Sequence, residues 1–116
     1  MRRMILLALA TALATAPALA HAFLQTASPT AGENLHASPP RVSLHLSEPL
    51  EPALSSVAVT SVAGADMSAG PVAVTGGDMT LPLKKLAPGR YRVVWHAVSV
   101  DTHRTEGKYN FLVLPQ

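Results

Sequence analysis

The chain contains no cysteine in 116 residues. That absence excludes disulfides, zinc–thiolate sites, redox dithiols and cysteine nucleophiles, so an exported domain of this size must rest on its core alone. Aromatics are equally sparse, with one Trp, two Tyr and two Phe. Five rings do not make the aromatic surface needed to grip a polymer. Long apolar runs are missing too. The apolar run from Ile5 to Ala16, with no charge in it, falls short of the roughly 20 residues a membrane span requires. No one-sided charge survives inspection either. The net charge of +2 belongs largely to Arg2 and Arg3; the nine Lys and Arg less these two leave seven against seven Asp and Glu. A chain this nearly neutral has no basic patch for nucleic acid and no polycationic tail for lipid.

What is present begins with a leader. Arg2 and Arg3, the apolar run and then Ala18-Leu19-Ala20 have the layout of a secretory signal peptide with an A-x-A cleavage motif. Cutting there makes residues 1–20 the signal peptide and His21 the new N-terminus, with residues 21–116 as one small domain. Ala20-His21-Ala22 fits the same rule and would move the start to Phe23, discarding the histidine.

The rest reads as short strands punctuated by Pro, Gly, Asn and Asp. In "RVSLHLS", Val42, Leu44 and Leu46 alternate with Ser43, His45 and Ser47, the period-two pattern of a half-buried strand. "SSVAVTSV" and "PVAVT" are rich in β-branched residues and bounded by Gly64 and Gly76-Gly77. "GRYRVVWHAV" and "KYNFLVL" put Tyr91, Val93, Trp95 and Ala97, and Tyr109, Phe111 and Val113, on single faces. With about seven strands and no convincing helical period, the pattern predicts an all-β sandwich or small Greek-key barrel. Tyr91 follows the Pro88-Gly89 turn and is either a tyrosine corner or a plain core residue. Trp95 is read as core filler.

The chemistry narrows to histidines. His36 sits in a Pro-rich loop and reads as solvated; His45 lies on the polar face of its strand; His96 faces away from the Trp95 stripe and reads as structural or supporting a site. Asp101 and His103, in "SVDTHRTEG", stand two apart. In extended backbone both side chains project to one side, as a carboxylate–imidazole ligand pair or as ordinary hydrogen-bonded surface residues. An N-terminal His21 adds a second pairing. Its α-amine and imidazole Nδ1 close a six-membered chelate, and their ordinary pKa values of about 8 and 6.5 leave few protons to displace near neutrality. Three nitrogens and a carboxylate oxygen suit Cu(II); Zn(II) takes the same donors but prefers a tetrahedron.

"HAFLQTASPTAGENL", "LHLSEPLEP", "LAPGRYRVVWHAVSVDTH" and "EGKYNFLVL" together resemble the CopC/PcoC family of periplasmic copper-binding proteins along the whole domain. The resemblance implies a seven-stranded Greek-key β-barrel or sandwich, immunoglobulin-like or cupredoxin-like in appearance. It implies one Cu(II) held by His21, Asp101 and His103, with Glu48 nearby as a weak ligand or as an acceptor behind the ligands, and so favours the cut before His21. It implies periplasmic location and a CopD-like inner-membrane copper transporter as partner. The chain departs from the family twice. Some members carry a Met-rich loop with an added His for Cu(I), whereas only Met67 and Met79 follow the leader here and read as gap-filling residues. The family commonly has Arg where His96 stands.

Three functions compete. A non-enzymatic copper carrier or buffer serving copper homeostasis or resistance is the principal expectation. A histidine-brace copper oxidase is disfavoured by the short chain and few aromatics. An immunoglobulin-like interaction module without metal would make His21 a coincidence of processing.

Overall fold

The computed structural model describes residues 23–116; His21 and the leader lie outside the described residues. Eight strands, β1 (Leu24–Ser28), β2 (Asn34–Leu35), β3 (Arg41–Leu46), β4 (Ser56–Ser61), β5 (Ala73–Thr75), β6 (Asp78–Pro82), β7 (Gly89–Val98) and β8 (Arg104–Val113), build two four-stranded sheets. The first runs β1-β3-β6-β5 and is antiparallel throughout; the second runs β2-β8-β7-β4, with β2 parallel to β8. This is the expected all-β sandwich. The eighth strand is the two-residue β2, too short to show a period. A 3-10 turn at Pro52–Leu54 was not foreseen either.

Alternation drives the packing. Val42, Leu44 and Leu46 of β3 face Val93, Trp95 and Phe111 of the second sheet across one apolar core. Tyr91 is a tyrosine corner: it is 5 % exposed and its hydroxyl donates to the Ala87 carbonyl at 2.6 Å. Trp95 is core, 6 % exposed, and lies over Gly107, its cross-strand partner. A Cβ added at Gly107 would sit 2.7 Å from Trp95 Cζ2, so the indole occupies the volume a side chain would need. Met79 is fully buried and Met67 packs against the same core, which places both methionines as filler.

Candidate metal site

Where β7 gives way to β8 the chain reverses through residues 99–103. The sequence predicts an extended Asp101-x-His103 pair, and the structure corrects this: the two residues meet on a tight turn. The Thr102 N–H donates to the Ser99 carbonyl at 2.8 Å, and the Ser99 N–H donates to the His103 carbonyl at 2.9 Å. Thr102 has φ of 71°, the left-handed position that a short hairpin of this kind needs at its end.

Ser99 organises the turn from below. It is wholly buried; its Oγ donates to Asp101 Oδ1 and accepts the His103 N–H at 3.3 Å. A buried hydroxyl with both roles filled has its desolvation offset by the hydrogen bonds it makes, and it holds its partners in place. Above it, His103 Nδ1 lies 3.2 Å from Asp101 Oδ1, with the side chains 45 % and 47 % exposed. The Ser99 hydroxyl, and secondarily the His103 imidazole, hold the Asp101 carboxyl below its ordinary pKa of 3.8, because both favour the ionised form.

Two distant segments converge on this turn. The Val100 N–H donates to the Pro49 carbonyl at 3.0 Å, and Leu50 bridges Ser99. Two residues before Pro49, Ser47 holds Phe23 from both sides: the Phe23 N–H donates to Ser47 Oγ at 2.9 Å and the Ser47 N–H to the Phe23 carbonyl at 2.9 Å. The first described residue is therefore pinned beside the segment that carries Glu48 and touches the Asp101–His103 turn. Glu48 itself is half-buried and does not join that pair: among the described residues no three His, Asp, Glu or Cys side chains come together to hold a metal. Asp101 and His103 supply one nitrogen and one oxygen, a donor set that fits Cu(II) or Zn(II) but needs further donors.

The other histidines lie elsewhere. His36 is exposed in its loop. His45 Nδ1 lies 2.5 Å from Asp78 Oδ1 on the outer face of the first sheet, and His96 Nδ1 lies 3.0 Å from Glu106 Oε1 on the outer face of the second. His96 thus belongs to a cross-strand pair. Ser99 and Thr102 are the residues sequence reading did not weigh. A serine between Val98 and Val100 is the one available signal, since it puts a polar side chain on the inward face of a strand end.

The family model for the CopC domain matches residues 24–114. Protein YobA of Escherichia coli K12 is 36 % identical over 109 residues, covering 90 % of this chain and 88 % of that protein. Copper resistance protein C of Pseudomonas syringae pv. tomato is 36 % identical over 110 residues, covering 87 % and 86 %. The crystal structure of CopC from Methylosinus trichosporium OB3b superposes with a TM-score of 0.76 at 35 % identity, over 83 % of this chain and 96 % of that one. PcoC, a methionine-rich copper resistance protein from Escherichia coli, gives a TM-score of 0.70 at 33 % identity, over 81 % and 99 %.

Proposed function

The chain belongs to the CopC family, and from that membership we propose that it is a non-enzymatic copper-binding protein serving copper homeostasis or resistance. It takes one Cu(II) as cargo in the periplasm and exchanges it with a CopD-like copper transporter of the inner membrane. The single observation that carries this reading is the turn-mounted Asp101–His103 pair, hydrogen-bonded on one flank to the Pro49 segment to which Phe23 is tied. His21 supplies the missing nitrogens. It stands two residues before Phe23, and two residues of extended chain reach about 7 Å. Removal of residues 1–20 as a signal peptide frees its α-amine, so amine, imidazole, His103 and Asp101 complete a nitrogen-rich set, with Glu48 as a weak donor or an acceptor behind it. The protein's part is to hold these donors ready on a rigid turn, which lowers the ordering cost of binding. Among the described residues no thioether cluster favours Cu(I): Met79 is fully buried and Met67 packs on the core.

Competition titration of the processed protein tests this. One Cu(II) per chain is expected, bound far more tightly than Cu(I), and His103→Ala should weaken it by at least about a hundredfold, nearly 3 kcal/mol, without unfolding the apo domain. Unchanged Cu(II) affinity in His103→Ala would overturn the site, and comparable Cu(I) affinity would overturn the metal preference. Copper-dependent oxygen consumption with a reductant would indicate an enzyme instead.

A further inference from the structure

Near-neutral charge predicts no basic patch, yet the outer face of the second sheet segregates the seven cations and seven anions that follow Arg3. Arg90, Arg92, Arg104 and Lys108 are exposed on β7 and β8, four of those seven cations on one face. Their arrangement follows from register: Thr60, Arg92 and Asn110 form one cross-strand row, and Ala58, Val94 and Lys108 the next. Arg90 stands two residues before Arg92, on the same side of β7. The face has one carboxylate, Glu106, and His96 already lies against it at 3.0 Å. Among the described residues no carboxylate pairs with Arg90, Arg92 or Lys108. Between Arg90, Arg92 and Asn110 on one side and Thr60, Ser61 and Gly64 on the other lies a concavity of about 440 Å³. Val62, 82 % exposed, also lines it.

We propose that this concave basic end of the sheet docks an acidic, extended segment of a protein partner, with carboxylates at alternate positions along the segment. Three observations select that occupant. The guanidinium forks of Arg90 and Arg92 match carboxylates in bidentate geometry, which a lone lysine patch would not. Two residues of strand separate them by roughly 7 Å, the spacing at which an extended partner presents every second side chain. The concavity they line, shared with Asn110 and Thr60, gives a single strand room and polar contacts, and the exposed Val62 adds an apolar one. A lipid surface is a poorer match, because Arg90 and Arg92 line a concavity and no aromatic side chain faces outward among the cations. Arg92 precedes Ser99 by seven residues, about 23 Å of strand. A partner held there leaves the Asp101–His103 turn uncovered, so docking and metal exchange use different parts of the molecule.

The probe is a fluorescein-labelled peptide of alternating Thr and Glu, with a Thr–Gln peptide as its uncharged counterpart, followed by anisotropy against the processed apo protein. The Thr–Glu peptide should bind in a salt-dependent manner and the Thr–Gln peptide should not. Arg90→Gln/Arg92→Gln should weaken binding at least tenfold, while Arg41→Gln/Lys85→Gln, two exposed cations off this face, should leave it unchanged. Both pairs lie at exposed positions, and superposable circular dichroism spectra and melting curves will show that the comparison is between folded proteins. Equal loss in the two double variants would reduce the effect to bulk charge and overturn the proposal, as would no binding at low salt. Arg90- and Arg92-dependent sedimentation with phosphatidylserine vesicles in the absence of peptide binding would assign the face to membrane instead. Arg92-dependent self-association in ultracentrifugation would assign it to a second copy of the chain.

Discussion

At the scale of single residues, Ser99 braces the candidate site without belonging to the proposed donor set. Its hydroxyl reaches both the Asp101 carboxylate and the His103 main chain, and it is the largest cause of the lowered Asp101 pKa. A carboxyl whose pKa falls on folding contributes stability that is present above its ordinary value of 3.8 and is lost as pH drops through the lower folded value. Ser99→Ala should therefore return the Asp101 titration of the apo protein toward the ordinary carboxylate range, read by carboxyl carbon NMR. The stability gap between wild type and variant should be present at neutral pH and shrink in acid. An unmoved Asp101 titration would mean that the serine does not hold the carboxylate. Tyr109 is the alkaline counterpart. Burial, aided by Glu33, pushes its phenol up from 10.0 to about 12. The neutral form is favoured, so its contribution is complete below pH 10.0 and fades as pH rises through about 12.

At the scale of elements, the β7–β8 hairpin contributes to the core and carries the Asp101–His103 turn. Its middle and its tip set opposite demands. Near the middle, Gly107 must stay small because Trp95 occupies its side-chain volume. Gly107→Ala should cost about 2 kcal/mol through displaced packing, measured by denaturant unfolding. At the tip, Thr102 adopts φ of 71°, a conformation that costs a non-glycine residue roughly 1–2 kcal/mol and suits a β-branched one poorly. Thr102→Gly should raise apo stability by about 1 kcal/mol; a loss would mean that the Thr102 side chain stabilises the turn more than its backbone strains it. The same hairpin separates what the sequence makes legible from what it hides. Strands β3, β7 and β8 could be read directly, since burying every second residue leaves a period-two trace in the composition. Strand β2, of two residues, has no room for a period; β5, of three residues, has none either and was legible only through the β-branched residues of "PVAVT". The Asp101–His103 pairing was legible as a motif, yet its geometry was not. Threonine gives no hint of a left-handed turn, which Gly or Asn would have announced, and so an extended pair was the natural reading of D-x-H.

At the scale of the whole molecule, hydrogen bonds draw together around the candidate site three stretches far apart in sequence: Phe23, the Ser47–Leu50 segment and the 99–103 turn. No periodicity conveys such convergence; it follows from how the two sheets place their loops at one end of the sandwich. This gives the start of the mature chain unusual weight. The hydrogen bonds between Phe23 and Ser47 fix the point from which the preceding residues depart, and under the proposed function the next donors come from His21. If His21 binds through its own α-amine, chain position matters as much as side-chain identity. Retaining Ala20 converts that amine into an amide, a poor ligand unless deprotonated, and destroys the six-membered chelate while leaving the imidazole in place. Loss of one strong chelating donor costs several kcal/mol, at 1.4 kcal/mol per tenfold in affinity. The Ala-extended protein should bind Cu(II) at least about a hundredfold more weakly than the protein beginning at His21. Both should unfold at the same denaturant concentration, because the contacts that fix Phe23 and the core lie downstream of the change. Mass spectrometry of the exported protein, paired with copper titrations of the two forms, decides the matter. A mature N-terminus at Phe23, or equal copper affinity with and without Ala20, would remove His21 from the site and leave Asp101 and His103 to recruit their remaining donors elsewhere.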